Sequence, residues 1–180
     1  MPSLSIPSPV GPLTIEEQDD KIVAISWKNG VPAGNGSPLL DEAARQRQAY
    51  FEGKLSHFDL PLALAGSPFE NRVWTAMQQI PYGETRCYGD LAAAIGSAPR
   101  AVGGACGKNP IPIVIPCHRV LAKTGMGGYS GQGGLDTKRA LLRLILGVME
   151  AERVQHRRGA GVFVVDVTAE LHVVEHRQVL

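Results

Sequence analysis

The spacing of apolar residues divides the chain into a strand-rich beginning and a helix-rich middle. Short apolar runs predict strands at residues 4–6, 13–15 and 22–27. Residues 16–20 are a polar turn, residues 30–38 are a Gly- and Pro-rich loop, and residues 39–53 show helical spacing. With residues 60–64 as a further strand candidate, this part of the sequence predicts a small antiparallel sheet with one helix.

A second region begins after a linker at residues 65 and 66. Ser67, the proline that follows it and Glu70 form a capping box, so a helix is expected to start there. Apolar residues then recur at helical spacing and predict a face that packs into the core: Phe69, Val73, Trp74, Met77 and Ile80. Trp74 is assigned to this core and to no ligand.

Two short helices are expected next, one at residues 88–95 that ends at Gly96 and one at residues 100–106 that ends at Gly107. Together they predict a helix-turn-helix. Four residues of the second helix have no side chain or only a methyl group: Ala101, Gly103, Gly104 and Ala105. Such a helix can pack tightly against another helix or allow the close approach of another surface. After a glycine-rich loop, residues 136–150 return to helical spacing.

The composition suits one compact unit or two small lobes, with 180 residues of which 44% are hydrophobic. No apolar run approaches the roughly 20 residues of a membrane span, and the first residues lack signal-peptide features. A cytoplasmic protein without a membrane partner is therefore expected. The odd number of cysteines and the lack of a C-x-x-C pair argue against a disulfide framework and a zinc site: Cys87, Cys106 and Cys117.

Charge is unevenly distributed, although the formal net charge is only +1. Residues 1–83 carry six Lys or Arg against nine Asp or Glu, whereas residues 84–150 carry eight against four. The second part is the better candidate to face phosphates, but an ordinary surface with uneven charge would give the same counts.

The segment 113–120 places a thiol beside an imidazole. Its β-branched residues and Pro116 restrict the backbone, which predicts an apolar strand that holds the sulfur of Cys117 in place. His118 and Arg119 would favour the thiolate, which is the form that attacks. An inert buried cysteine is compatible with the same spacing.

The run Pro116-Cys117-His118-Arg119-Val120 resembles the active-site motif of the O6-methylguanine-DNA methyltransferases. The segment 100–105 and the pair Asn109-Pro110 resemble the DNA-binding helix of that family and the asparagine turn after it. Further similar segments follow the order of the family at residues 8–13, 80–85 and 128–131 and at Lys138. The resemblance extends from about residue 8 to residue 142.

The resemblance implies an α+β fold in which a small N-terminal α/β lobe with an antiparallel sheet, ribonuclease-H-like, precedes a mainly helical lobe. The expected domains are a scaffold lobe at residues 1–65, a DNA-binding and alkyl-transfer lobe at residues 66–150, and a tail at residues 151–180. The tail has no counterpart in the family, and its strand-like stretch 162–174 could be an added strand, an interaction tail or a poorly ordered segment.

The resemblance also implies a role for each matching residue. Cys117 would take the alkyl group by in-line displacement, His118 would draw the thiol proton through a water, and Asn109 would hold the preceding turn. Once the nucleotide is extruded from the duplex, Arg100 would fill the gap in the stack and Tyr88 would rotate the phosphate. The same helix would also face DNA with Ala101, Gly103 and Gly104. The pocket for the base would be shaped by four residues: Pro112, Val120, Tyr129 and Ser130.

The implied activity is direct DNA repair, in which each molecule reacts once because the thioether it forms is stable. The partner would be double-stranded DNA that carries O6-alkylguanine, and no metal or cofactor is required. A monomer is expected. The sequence leaves open the size of the alkyl group and whether O4-alkylthymine is also a substrate.

Three features depart from the family pattern. Ile145 stands seven residues after Lys138, where the family usually has a glutamate that orients the histidine. Glu150 lies on a different side of the helix and is no simple replacement. The turn at residues 96–100 is about two residues short, and the loop at residues 129–135 contains what looks like a two-residue insertion.

Two other functions stay open. A lesion-binding protein would recognise alkylguanine, transfer the alkyl group poorly and flag the damage for another pathway. Ile145 favours this function, and Cys117 argues against it. A cysteine hydrolase or a thiol redox enzyme fits less well. The chain has no C-x-x-C pair, and Cys117 and His118 on one strand would point to opposite faces.

Overall fold

The computed structural model describes residues 1–27 and 36–146 in full and the backbone of residues 153–158 and 161–166. The helices α1 to α5 span Pro38–Phe51, Pro68–Gln78, Tyr88–Ile95, Pro99–Gly107 and Gly134–Leu146. The strands β1 to β7 span Ser3–Ile6, Leu13–Gln18, Lys21–Ser26, Arg86–Cys87, Val120–Leu121, Arg153–Arg158 and Gly161–Asp166. None of the helices in these ranges is long and apolar enough to cross a membrane.

The predicted antiparallel sheet is present and has the strand order β1-β2-β3. The turn between β2 and β3 places Asp19 and Asp20 in the left-handed region, with φ of 51° and 57°, as a tight hairpin turn requires. The apolar face of the sheet packs on α1, which Ser37 caps by accepting the Leu40 N–H at 3.0 Å. Most of the predicted loop 30–38 lies outside the described residues.

The expectation of a further strand at residues 60–64 is wrong. The segment makes a single parallel bridge, between Leu62 and Ile22. Pro61 has no N–H to give to a ladder, and its carbonyl accepts the Ile22 N–H at 2.8 Å. The segment therefore lies along the edge of the sheet without extending it.

Helix α2 begins at the predicted capping box. Ser67 Oγ accepts the Glu70 N–H at 3.3 Å, and Glu70 Oε2 accepts the Ser67 N–H at 2.8 Å. The buried side of α2 includes Trp74, whose indole N–H donates to the Ala105 carbonyl at 2.9 Å. This bond ties α2 to α4, so Trp74 has the packing role that was expected of it.

Helices α3 and α4 form the predicted helix-turn-helix. Gly96 ends α3 with φ of 65°, and the Ser97 N–H donates to the Ala92 carbonyl at 2.8 Å. Helix α4 starts at Pro99, and three residues separate it from the end of α3. Arg100 is exposed in the first turn of α4.

The predicted strand around Cys117 is wrong. The chain folds into turns after Asn109, the Ile115 N–H donates to the Ile111 carbonyl at 2.9 Å, and Cys117–Arg119 is a 3-10 turn. Prolines at positions 110, 112 and 116 remove the donors that a strand ladder needs. Only Val120–Leu121 pairs as a strand, parallel to Arg86–Cys87.

The last described elements are α5 and a hairpin. Helix α5 begins at Gly134, two residues before the predicted start, and its expected end at residue 150 lies outside the described residues. Strands β6 and β7 pair antiparallel, with Arg153 opposite Asp166. This hairpin includes the start of the strand-like stretch predicted at residues 162–174.

Candidate active site

Cys117 lies where two cavities approach the same turn. The residue is only 6% exposed, its N–H donates to the Ile115 carbonyl at 2.8 Å, and its thiol is hydrogen-bonded by the Asn109 side chain. It lines a cavity of about 730 Å³ beside the helix-turn-helix and a second of about 410 Å³ beside β3. The thiol is therefore shielded from bulk water but adjoins space that a ligand can fill.

Asn109 connects the end of α4 to the turn that carries the thiol. Its Oδ1 accepts the Ile111 N–H at 3.0 Å and its Nδ2 donates to the Ile115 carbonyl at 2.8 Å. The next residue, Pro110, accepts the Ile25 N–H at 2.9 Å. The turn before Cys117 is thus anchored both to its own asparagine and to strand β3 of the first lobe.

A buried lysine fixes the chain on the other side of Cys117. Lys138 is fully buried, and its Nζ donates to the carbonyls of Val120, Met126 and Gly128 at 2.7, 2.6 and 3.0 Å. Lys138 belongs to one of the segments that resemble the family, and the sequence alone predicted no role for it. The signal that could have found it is its position on the apolar face of α5, three and seven residues before Leu141 and Ile145.

His118 contacts the first lobe. Its ring is fully buried, and Nε2 lies 3.3 Å from the hydroxyl of Tyr50, which α1 supplies. Its Nδ1 has no hydrogen-bond partner within the described residues. Sequence reasoning missed Tyr50 because a tyrosine at the end of an apolar helix face is typical of a core residue. The lobe expected to be a scaffold thus contributes a side chain to the site.

Arg119 is held in the same buried cluster. Its Nη1 donates to the Ile80 carbonyl at 2.8 Å and its Nη2 donates to the Tyr50 hydroxyl at 3.4 Å. The guanidinium also lies 5.6 Å from the centre of the Tyr82 ring. Arg119 therefore orients its neighbours around His118 and is turned away from solvent.

Burial sets the protonation of the site. It raises the pKa of the Cys117 thiol, while the hydrogen bond from Asn109 and the charge of Lys138 act in the opposite direction. Burial also lowers the pKa of Lys138 to about 8. The pKa of His118 falls well below its usual value because of burial and the nearby charges of Arg119 and Lys138. At neutral pH the resting site therefore holds a thiol and a neutral imidazole.

The residues expected to face DNA lie at the rim of the larger cavity or on the same helix. Arg100 and Gly103 line the cavity, and Ala101 and Gly104 are exposed on α4. Tyr88, the first residue of α3, also lines it, and its hydroxyl donates to the Gly128 carbonyl at 3.5 Å.

Three of the four residues expected to shape the base pocket adjoin a cavity. Tyr129 and Ser130 line both cavities, and Pro112 lines the smaller one. Val120 is the exception, because its side chain is fully buried and lines neither of these two cavities. Val120 belongs to β5, and its carbonyl accepts a hydrogen bond from Nζ of Lys138.

Ile145 is part of the core. It is 3% exposed on α5, so an apolar side chain fills the position of the expected glutamate. Across the described ranges, no group of three or more His, Cys, Asp or Glu side chains is arranged to hold a metal ion.

Comparison with known proteins gives matches over most of the chain. Residues 4–64 match the family model described as the ribonuclease-like domain of 6-O-methylguanine DNA methyltransferase, and residues 68–144 match that of its DNA binding domain. The constitutive methylated-DNA–protein-cysteine methyltransferase of Bacillus subtilis is 44% identical over 137 residues, 69% of this chain and 83% of that protein. Its counterpart in Mycolicibacterium paratuberculosis is 46% identical over 149 residues, 78% of this chain and 89% of that protein.

A solved structure has the same fold. The crystal structure of Mycobacterium tuberculosis OGT in complex with DNA matches with a TM-score of 0.74 and 42% identity, covering 81% of this chain and 93% of that one. The fold class expected from the sequence, a small lobe with an antiparallel sheet before a mainly helical lobe, is confirmed.

The substitution Lys138→Met tests the role of the buried ammonium. It leaves three carbonyls without their donor, so we expect the free energy of unfolding to fall by about 3 kcal/mol or more. Urea unfolding at pH 7, below the pKa of about 8, measures the change while the lysine is protonated. Lys123→Met, at an exposed position, is the control and should change stability by less than about 0.5 kcal/mol. Equal effects of the two substitutions would contradict the anchoring role.

Proposed function

Because the chain belongs to the O6-methylguanine-DNA methyltransferase family, we propose that it repairs DNA by moving an alkyl group from guanine O6 to Cys117. The observation that carries this proposal is the position of Cys117 on the wall of the cavity beside the helix-turn-helix. The volume of this cavity, about 730 Å³, lies within the usual range of small-molecule sites, about 300–1,000 Å³.

The reaction is an in-line displacement at the carbon attached to O6. The thiolate of Cys117 forms a C–S bond while the C–O6 bond breaks, and the bonding electron pair leaves with guanine. Guanine then takes up one proton, which balances the proton lost by the thiol. The product is a thioether and a normal guanine, so the protein is consumed by one reaction.

Access to the thiol requires the damaged nucleotide to leave the duplex, since O6 lies inside the base stack. Arg100 is exposed at the rim of the cavity and is suited to occupy the vacated position. Tyr88 stands at the same rim, where it can contact the phosphate. No side chain projects from α4 at Gly103 and Gly104, so the backbone of the helix can approach a groove of DNA.

Tyr129 and Ser130 are the residues of the loop that we propose to hold the base. Tyr129 packs edge-on against Trp27, with ring centres 6.3 Å apart, and its buried hydroxyl has no hydrogen-bond partner in the described part of the chain. A buried polar group without a partner is costly, and a base in the cavity would supply one. Pro112 closes the smaller cavity on the other side of the thiol.

The remaining roles follow from the same placement. Asn109 holds the turn and hydrogen-bonds the thiol, and His118 is the neighbouring polar group.

We propose residues 1–65 as the scaffold lobe and residues 66–150 as the DNA-binding and transfer lobe. Residues 151–180 would be a C-terminal tail that belongs to neither lobe. The protein would act as a monomer, in the cytoplasm, on double-stranded DNA carrying O6-alkylguanine, with no metal or cofactor.

Peptide mapping by mass spectrometry tests the transfer. After incubation with a duplex oligonucleotide that carries O6-methylguanine, we expect the mass of one methyl group on the peptide that contains Cys117. Cys117→Ala should gain none. Methylation of Cys87 or Cys106, which line the same cavity, would contradict the assignment of the nucleophile. Lesion-selective binding with an unmodified Cys117 would favour a protein that flags damage, and Ile145 is the observation that keeps this second function in view.

The substitution Arg100→Ala separates nucleotide extrusion from chemistry. Without a side chain to fill the stack, we expect the single-turnover rate from duplex DNA to fall by about tenfold or more, since unstacking costs a few kcal/mol. Transfer from free O6-benzylguanine base, which needs no extrusion, should change by less than twofold. Arg72→Ala, an exposed arginine on α2, is the matched control. Equal losses with duplex and free base would contradict the role in extrusion.

A further inference from the structure

A chain of three buried side chains links the two lobes behind Cys117. Tyr50 of α1 is fully buried, and its hydroxyl lies 3.4 Å from Nη2 of Arg119 and 3.3 Å from Nε2 of His118. The rings of Phe51, Phe58 and Tyr82 pack around the Tyr50 ring at centre distances of 5.0 to 5.8 Å. The hydroxyl is therefore held in one place between the guanidinium and the imidazole.

The donors and acceptors in this chain fix its direction. A guanidinium can only donate, so the Tyr50 oxygen is the acceptor in its bond with Arg119. The hydroxyl proton of Tyr50 then has Nε2 of His118 as its acceptor, provided that Nε2 carries no proton. The opposite arrangement, with Nε2–H as the donor, would leave two buried groups unsatisfied, the hydroxyl proton of Tyr50 and the lone pair of Nδ1. The first arrangement leaves only the Nδ1 proton without a partner among the described residues, so it is the more favourable of the two.

We propose that Tyr50 is a positioning residue that holds His118 as the neutral tautomer protonated at Nδ1. In this tautomer Nε2 accepts the proton of the Tyr50 hydroxyl, and Nδ1 carries the proton of the neutral ring. The consequence for the reaction, that loss of the Tyr50 hydroxyl slows alkyl transfer by releasing the ring from one tautomer, rests on the proposed function.

The groups around His118 support a neutral ring. Arg119 is the next residue in the chain, and Lys138 approaches from α5; both are cations that disfavour an imidazolium. Tyr50 and Tyr82 face the cluster from α1 and from the segment before β4. Nδ1 has no hydrogen bond to any described residue, so no described carboxylate contacts that side of the ring.

Nuclear magnetic resonance of protein labelled with ¹⁵N in histidine measures the tautomer directly. Two-bond ¹H–¹⁵N spectra of the full chain distinguish protonated from unprotonated ring nitrogens, and the His118→Gln variant identifies the signals. We expect a protonated Nδ1 and an unprotonated Nε2 from pH 5.5 to pH 8. A proton on Nε2 in the unaltered protein, or formation of an imidazolium in this range, would overturn the proposal.

The substitution Tyr50→Phe removes only the hydroxyl. We expect the His118 signals to move towards a mixture of tautomers and the single-turnover transfer rate to fall by about tenfold, a usual size for the loss of a group that orients a histidine. Affinity for lesion-containing duplex should stay within twofold. The control is Tyr82→Phe, which removes a hydroxyl of the same aromatic cluster that donates to the Leu144 carbonyl at 3.2 Å. It should retain both the tautomer and the rate.

The outcomes separate this proposal from the proposed function. The tautomer is measured on unreacted protein, so an unmodified Cys117 together with a protonated Nδ1 would contradict alkyl transfer alone. A methylated Cys117 together with a protonated Nε2 would contradict the role of Tyr50 alone. A folded Tyr50→Phe variant with an unchanged tautomer would also overturn that role.

Discussion

Three backbone carbonyls converge on the buried ammonium of Lys138, and the geometry of the site depends on this contact. A fully buried ammonium is tolerated only when its protons are accepted, so the segment 120–128 must keep all three carbonyls directed at α5. The segment therefore cannot move independently of the helix. Cys117 lies just before this segment, and the loop with Tyr129 lies just after it. Lys138 also brings a positive charge close to the thiol.

The thiol is placed by contacts from both lobes. Asn109 bonds the turn before it, strand β3 bonds Pro110, and Tyr50 of α1 bonds the histidine after it. Burial makes the thiol harder to ionise, and the positive charge of Lys138 partly offsets that effect. A shielded, weakly ionised thiol suits a protein that is consumed by one reaction, because adventitious reagents have little access to it.

Local sequence signals predicted the helices well and the active-site turn badly. The capping box at Ser67 and the glycine at position 96 locate helix ends through contacts within a few residues, and the structure has them. The segment around Cys117 has β-branched residues typical of a strand, but its prolines remove ladder donors, and Ile113 adopts a left-handed φ of 77° that few β-branched residues adopt. Tertiary contacts, which the local pattern does not contain, decide that conformation.

The site was predictable where a motif is contiguous and not where it is assembled across the chain. Cys117 and His118 are adjacent in sequence, whereas Tyr50 lies 68 residues before His118 and belongs to the other lobe. Val120 was expected in the pocket because of its place in the motif, yet its side chain points into the core. The partner of His118 in particular required the three-dimensional structure.

The proposed reaction implies that one buried thiol accepts one alkyl group and is then spent. The most direct measurement is the amount of label transferred to the protein from excess duplex DNA carrying radiolabelled O6-methylguanine. The label should rise to a plateau of about one methyl group per chain, in proportion to the amount of protein and independent of further incubation. Label that continues to rise beyond one methyl group per chain, or a protein that removes the lesion without gaining label, would contradict the claim.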